Sequence, residues 1–200
     1  MYRLLLLVVP LFVFLTCTPA GPTEAPAPPP PASAGETISA EEFELSSIEG
    51  SELQLAVRKN AGGKLLEQGR VDASLVKQGD WTIYQSASDM PAKVSNYLDG
   101  HLNGISLDID VHGRVTTVYN YLNNVLHGPY LQYKITHPEL VANYHHGDLH
   151  GWYREYDYRN GNLKKEVLYE YGQMNGPFRQ FNDDGSLLIE YNYHNGELVE

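Results

Sequence analysis

A motif that returns about every 24 residues constrains this chain more than any other feature, because a periodic sequence folds as a stack of similar units. Aligned on Tyr-x-x-Gly-x-Leu-x-Gly, the copies are "YLDGHLNG" from Tyr97, "YLNNVLHG" from Tyr121, "YHHGDLHG" from Tyr144, "YEYGQMNG" from Tyr169 and "YHNGELVE" from Tyr193. Aromatic residues follow the closing glycines at the second and fifth positions. They are Trp81 and Tyr84 after Gly79, Tyr130 and Tyr133 after Gly128, Tyr153 and Tyr156 after Gly151, and Phe178 and Phe181 after Gly176. Ser106 and Ile109 take those places after Gly104.

Each unit reads as two strands and two turns. Asn160-Gly161 and Asp184-Gly185 are hairpin signals that predict positive φ at both central residues. "HGRV" at His112 is a weaker form, and His137-Pro138 stands in its place in the third copy. After this turn the chain alternates, with Leu163, Lys165, Val167, Tyr169 and Tyr171 on one face, then Leu187, Ile189, Tyr191 and Tyr193 in the next copy. The interval from Leu140 to Tyr144 is two residues shorter than from Leu163 to Tyr169. A two-residue deletion preserves side-chain parity only in a strand, so the unit is β and not α. Asn124 replaces the turn glycine of one copy, and asparagine is the residue that best tolerates the left-handed region after glycine. Aromatics at positions two and five have opposite parity, which requires a bend or bulge at one of them.

These units resemble the MORN-repeat variant of bacterial proteins in the YwqK antitoxin-like family, with its "nG-x-l-x-G-x-W/Y-x-x-Y-x-x-dG-x-l" cycle. The resemblance covers Leu53 to Glu200, with "NAGGKLLEQG" and "LVKQGDW" as a degraded copy over about 53–79 and clear units from about 79. It implies an all-β fold, an elongated single twisted antiparallel sheet of consecutive hairpins. Strands about 4.8 Å apart put equivalent residues of neighbouring units about 9.6 Å apart.

That spacing weighs against metal chemistry. His127 and His150 occupy one position in successive units, too far apart to share an ion without leaving their strands. His145 and His146 are adjacent and face opposite sides of an extended strand. The expectation is therefore no metal and no cofactor. Asp148, Glu155, Asp157 and Glu170 read as solvated faces and turns, and no catalytic triad, carboxylate pair or phosphate loop stands out, so the chain is not expected to be an enzyme. Two aromatic rows remain as the candidate binding surface. One is Tyr97, Tyr121, Tyr144, Tyr169 and Tyr193; the other is Trp81, Tyr130, Tyr153 and Phe178, broken at Ser106. The plainer reading makes both rows packing residues. Fifteen tyrosines against five phenylalanines favour a face that meets water and suits sugars or an extended chain.

Residues 1–16 read as a signal peptide, with Arg3 ahead of an apolar run from Leu4 to Leu15 that is too short to span a bilayer. Cys17, the sole cysteine, follows directly, and this arrangement resembles a bacterial lipoprotein signal in which that cysteine is acylated. Phe14 and Thr16 depart from the motif's preferred Leu and Gly or Ala. An ordinary signal with an incidental cysteine and an uncleaved anchor are the alternatives. Residues 17–40 read as a linker, since Thr18–Gly35 holds seven of the twelve prolines and nothing to build a core, and residues 41–200 as the repeat domain. As polyproline II the proline-rich segment reaches about 55 Å.

Without the signal, 13 basic side chains face 25 acidic ones, which argues against nucleic acid as a partner and leaves the lipid anchor as the link to a membrane. The expected product is an exported lipoprotein of a bacterial envelope, at the outer membrane or cell surface. Its expected role is that of a binding or scaffold module for an envelope protein or glycan. The family resemblance implies the other role, an antitoxin or immunity protein that binds a toxin.

Overall fold

The computed structural model describes residues 35–199. Cys17, the signal-like segment and most of the proline-rich stretch lie outside them. The described residues form one open antiparallel sheet in which each hairpin pairs with the next, from Glu44–Ser47 at one edge to Glu197–Val199 at the other. The all-β expectation holds. The domain starts earlier than residue 41, because Thr37 bridges Val76 and the Glu36 N–H donates to the Gly100 carbonyl at 2.7 Å. Gly100 is required there: its φ is +75°, and a Cβ would stand 2.7 Å from the Glu36 nitrogen.

Two kinds of turn alternate, and they exchange the roles the sequence suggests. The tips Asp99-Gly100, Asn123-Asn124, His146-Gly147, Tyr171-Gly172 and Asn195-Gly196 have positive φ at both residues, the two-residue geometry that matches strand twist. Tyr171 therefore belongs to a tip and not to the strand before it. At the turns expected to have that geometry only the glycine, Gly113, Gly161 or Gly185, has positive φ. The Asp110 N–H donates to Arg114 O and the Gly113 N–H to Asp110 O, a type I turn followed by a glycine bulge. Asp110 Oδ1 accepts the His112 N–H, and Asp157 Oδ1 the Arg159 N–H, so an acid at the turn's start selects this form. In the third copy the turn is Ile135-Thr136, with Ile135 at φ 64°, and His137-Pro138 already lies in the strand His137–His145.

The expected bulge falls just before the fifth position. Register shifts lie between Ile83 and Tyr84, Gln132 and Tyr133, Glu155 and Tyr156, and Gln180 and Phe181. The second-position ring is consequently buried on the inner face, and the fifth is half-buried at the shift.

Pairing explains why the motif joins a tyrosine to a glycine. Tyr97 lies opposite Gly79, Tyr121 opposite Gly104, Tyr144 opposite Gly128, Tyr169 opposite Gly151 and Tyr193 opposite Gly176. Each of these glycines has positive φ, from 65° to 126°, a conformation strained for any residue with a side chain. At the N-terminal end Trp81 lies over Gly69, where a Cβ would come within 1.8 Å of the indole. The inner face gathers into two clusters. Tyr121, Leu126, Tyr130, Leu140, Ala142, Tyr144 and Tyr153 fill the middle, and Ala56, Val71, Trp81 and Tyr97 fill the N-terminal end.

Candidate functional site

The aromatic rows are the core of this molecule and not an open surface, which corrects their reading as a binding face. Trp81, Tyr97, Tyr121, Tyr130, Tyr144, Tyr153 and Phe178 are buried, and only Tyr169 and Tyr193 keep partial exposure. The rows lie on one face of the sheet, so rings of successive units pack edge to face, as Tyr130 does on Tyr144 with centroids 5.9 Å apart. Ser106, where the row lacks a ring, is still 1 % exposed and sits opposite Tyr119, whose ring packs on Tyr121 and Tyr130. Tyrosine suits these positions because its hydroxyl reaches the edge of the core. Tyr153 OH donates to Glu155 at 2.9 Å, Tyr119 OH to Asp108 at 2.8 Å and Tyr97 OH to Glu36 at 3.1 Å. Burial, followed by these carboxylates, pushes the phenols of Tyr97, Tyr119 and Tyr153 far up, so they stay protonated donors.

Two of the acids expected to be solvated are structural. Glu155 accepts from buried Lys165 Nζ at 2.7 Å as well as from Tyr153. Asp157 is buried in its turn, where Arg159 holds its carboxyl well below the usual range. A second ionic group lies at the N-terminal end. Buried Glu67 meets Arg58 at 2.5 Å and Lys77 at 3.5 Å and accepts from Trp81 Nε1, while Lys77 Nζ also reaches Glu36 at 2.8 Å. A shallow cleft of about 210 Å³ opens over this group, lined by Thr37, Ile38, Glu42, Phe43, Arg58 and Glu67. Arg58, Glu67 and Lys77 at its base are all paired within the chain.

The histidines behave differently from the sequence expectation. His145 and His146 do not point to opposite sides, because His146 opens a tip with φ 51° and leaves the strand there. Their ring centroids are 4.4 Å apart. The same tip leans on the unit before it, through the Gly147 N–H donated to Leu126 O at 2.8 Å, and this contact carries both rings to His127. His127 lies 5.1 Å from His145 and 4.9 Å from His146, centroid to centroid, and its Nδ1 faces the His146 N–H at 3.4 Å. One ring nitrogen from each lies within 4.8 Å of the other two, and among the described residues this is the group an ion would span. His150 follows, 5.5 Å from His145, packed on Tyr171 and with Nδ1 buried and without a hydrogen-bond partner. Burial, with the neighbouring His146, His127 and His150 behind it, holds His145 below its ordinary value and keeps the imidazole neutral. What the sequence reading missed is the partnership of His127 with the next tip. Two histidines at a tip and a third 19 residues earlier was the signal available.

Neither the models of known protein families nor the curated proteins match this chain.

Proposed function

We propose that this chain is a non-enzymatic binding module of the MORN-repeat type, held at a bacterial envelope through Cys17, which docks a protein partner on the outer face of its sheet. The observation that carries the reading is an aliphatic strip on that face. Leu98, Ile105 and Leu122, on three successive long strands, are 54 %, 55 % and 40 % exposed although the inner face has buried nearly every ring. Beside them runs a half-buried row in mutual register, Val94, Leu107, Val118, Leu131 and Val141. The same row continues as Arg154, Glu166, Arg179 and Glu190, charges of alternating sign joined by ion pairs at 2.7–3.2 Å. Apolar groups left together on an otherwise polar surface mark a contact with another macromolecule. A net charge of −11 suits a partner with a cationic rim. The glycan reading loses its support, since the rings that would stack on a sugar are inside the sheet.

Pull-down from envelope extracts tests this with the parent chain and a Leu98→Asp, Leu122→Asp variant of unchanged sheet-type circular dichroism. The expected result is one protein retained by the parent and reduced at least about tenfold with the variant, a loss of about 1.4 kcal/mol. Equal capture by both would move the contact off this face. If the retained protein is a toxin that loses activity on binding, the module is an antitoxin.

A further inference from the structure

We propose that His127, His145 and His146 form a three-imidazole site for a borderline divalent transition cation, zinc above all, which pins one repeat unit to the next.

The geometry comes close to what an ion requires. An equilateral triangle of side 4.8 Å has its centre about 2.8 Å from each corner, against an ideal zinc–nitrogen distance of about 2.0–2.1 Å. Tetrahedral coordination at that distance needs each nitrogen to move inward by about 0.8 Å, within the reach of small rotations about χ1 and χ2. His146 is exposed, so the cation enters from solvent and the fourth tetrahedral position is left to water. The three imidazoles share one small volume, with ring centroids 4.4 to 5.1 Å apart. Imidazole suits zinc, copper and nickel, and calcium and magnesium prefer oxygen ligands.

The backbone supplies the reason the three rings meet. His127 belongs to the unit that ends at Gly128, and His145 and His146 belong to the tip of the following unit, which is attached there by the Gly147–Leu126 hydrogen bond. Loss of that contact would separate the two halves of the site. Coordination and tip docking are thus coupled, and the ion stabilises the seam between units.

The test uses the chain carrying no polyhistidine tag and Zn²⁺ alone as the probe, with Ca²⁺ as control. Calorimetry is expected to show one saturable zinc per chain and no calcium, and zinc is expected to raise the thermal midpoint by several degrees. His127→Ala, His145→Ala and His146→Ala should each weaken zinc by more than the tenfold to hundredfold typical of a residue that merely supports a ligand. His101→Ala should leave it unchanged. Where an alanine variant loses its sheet-type circular dichroism, His127→Gln and the visible spectrum of Co²⁺ added to the parent decide. Strong bands of a four-coordinate ion support the site; weak bands of a six-coordinate one overturn it. Zinc retained in folded His127→Ala or His127→Gln, or no saturable zinc in the parent, overturns it as well.

Discussion

At the N-terminal end of the sheet Trp81 is 2 % exposed, beneath Phe43 and beside the Glu67–Arg58–Lys77 group, and residues Glu36 to Ile38 are bonded to Leu75, Lys77 and Gly100. At the C-terminal end Tyr191 and Tyr193 are half-exposed, and Leu187 and Leu198 are 50 % and 57 % exposed. Both ends are made from the same unit. What differs is the neighbour: the first unit is covered by a segment outside the repeat, while among the described residues no strand lies beyond Glu197–Val199. A repeat residue is thus core or surface according to the unit next to it, as nearest-neighbour stability in such arrays requires. The fading of the tyrosine row shows the same rule in one position, from buried Tyr144 to half-exposed Tyr169 and Tyr193.

Trp81→Ala should break this contrast most. It removes the largest fully buried side chain and the donor to Glu67, and urea unfolding should show a loss of about 4 kcal/mol. Tyr193→Ala, the matching test at the open end, should cost about 1 kcal/mol. Equal losses would mean that the ends are covered alike.

Glu67→Gln should come next, at about 3 kcal/mol near neutral pH, because it leaves Lys77 and Arg58 short of their partner in a poorly solvated place. Burial alone would raise the Glu67 carboxyl, but the hydrogen bonds from Arg58 and Trp81 and the charges of Lys77 and Arg58 outweigh it and hold the group below its ordinary value of 4.5. Its stabilisation is therefore complete above that value and lost as pH falls through the lower folded one. Urea midpoints of parent and variant should converge below about pH 4.5. A constant gap down to pH 3 would show that the carboxylate's charge is not what matters.

A smaller effect than either change at the capped end concerns a seam in the middle. Asn124 is 4 % exposed at φ 67°, donating its N–H to Leu102 O at 2.9 Å and accepting the Leu102 N–H on Oδ1 at 2.6 Å. Asn124→Ala loses the side-chain bonds and strains the tip, for about 2 kcal/mol; Asn124→Gly loses the side-chain bonds without the strain, for about 1 kcal/mol. A glycine variant as costly as the alanine one would assign the whole effect to the hydrogen bond. These three measurements together rank the capped end, its ionic group and an internal seam.

Periodicity of the Tyr, Gly and aromatic positions determined the class of structure by itself: hairpins in series, parity kept across the two-residue deletion before Tyr144, a bulge between the second and fifth positions, and asparagine at a left-handed turn. These are local properties, set by φ preferences and by the alternation of a strand, so they are legible without a fold. Which face closes is not local. The tyrosine rows looked wet because tyrosine is amphipathic, and only the packing of unit on unit along one face, with a carboxylate at several hydroxyls, shows them as core. The histidine cluster was hidden for a related reason. Its third member is brought in by a hydrogen bond between units, Gly147 to Leu126, and a distance across a seam depends on how two hairpins dock and not on how many residues separate them.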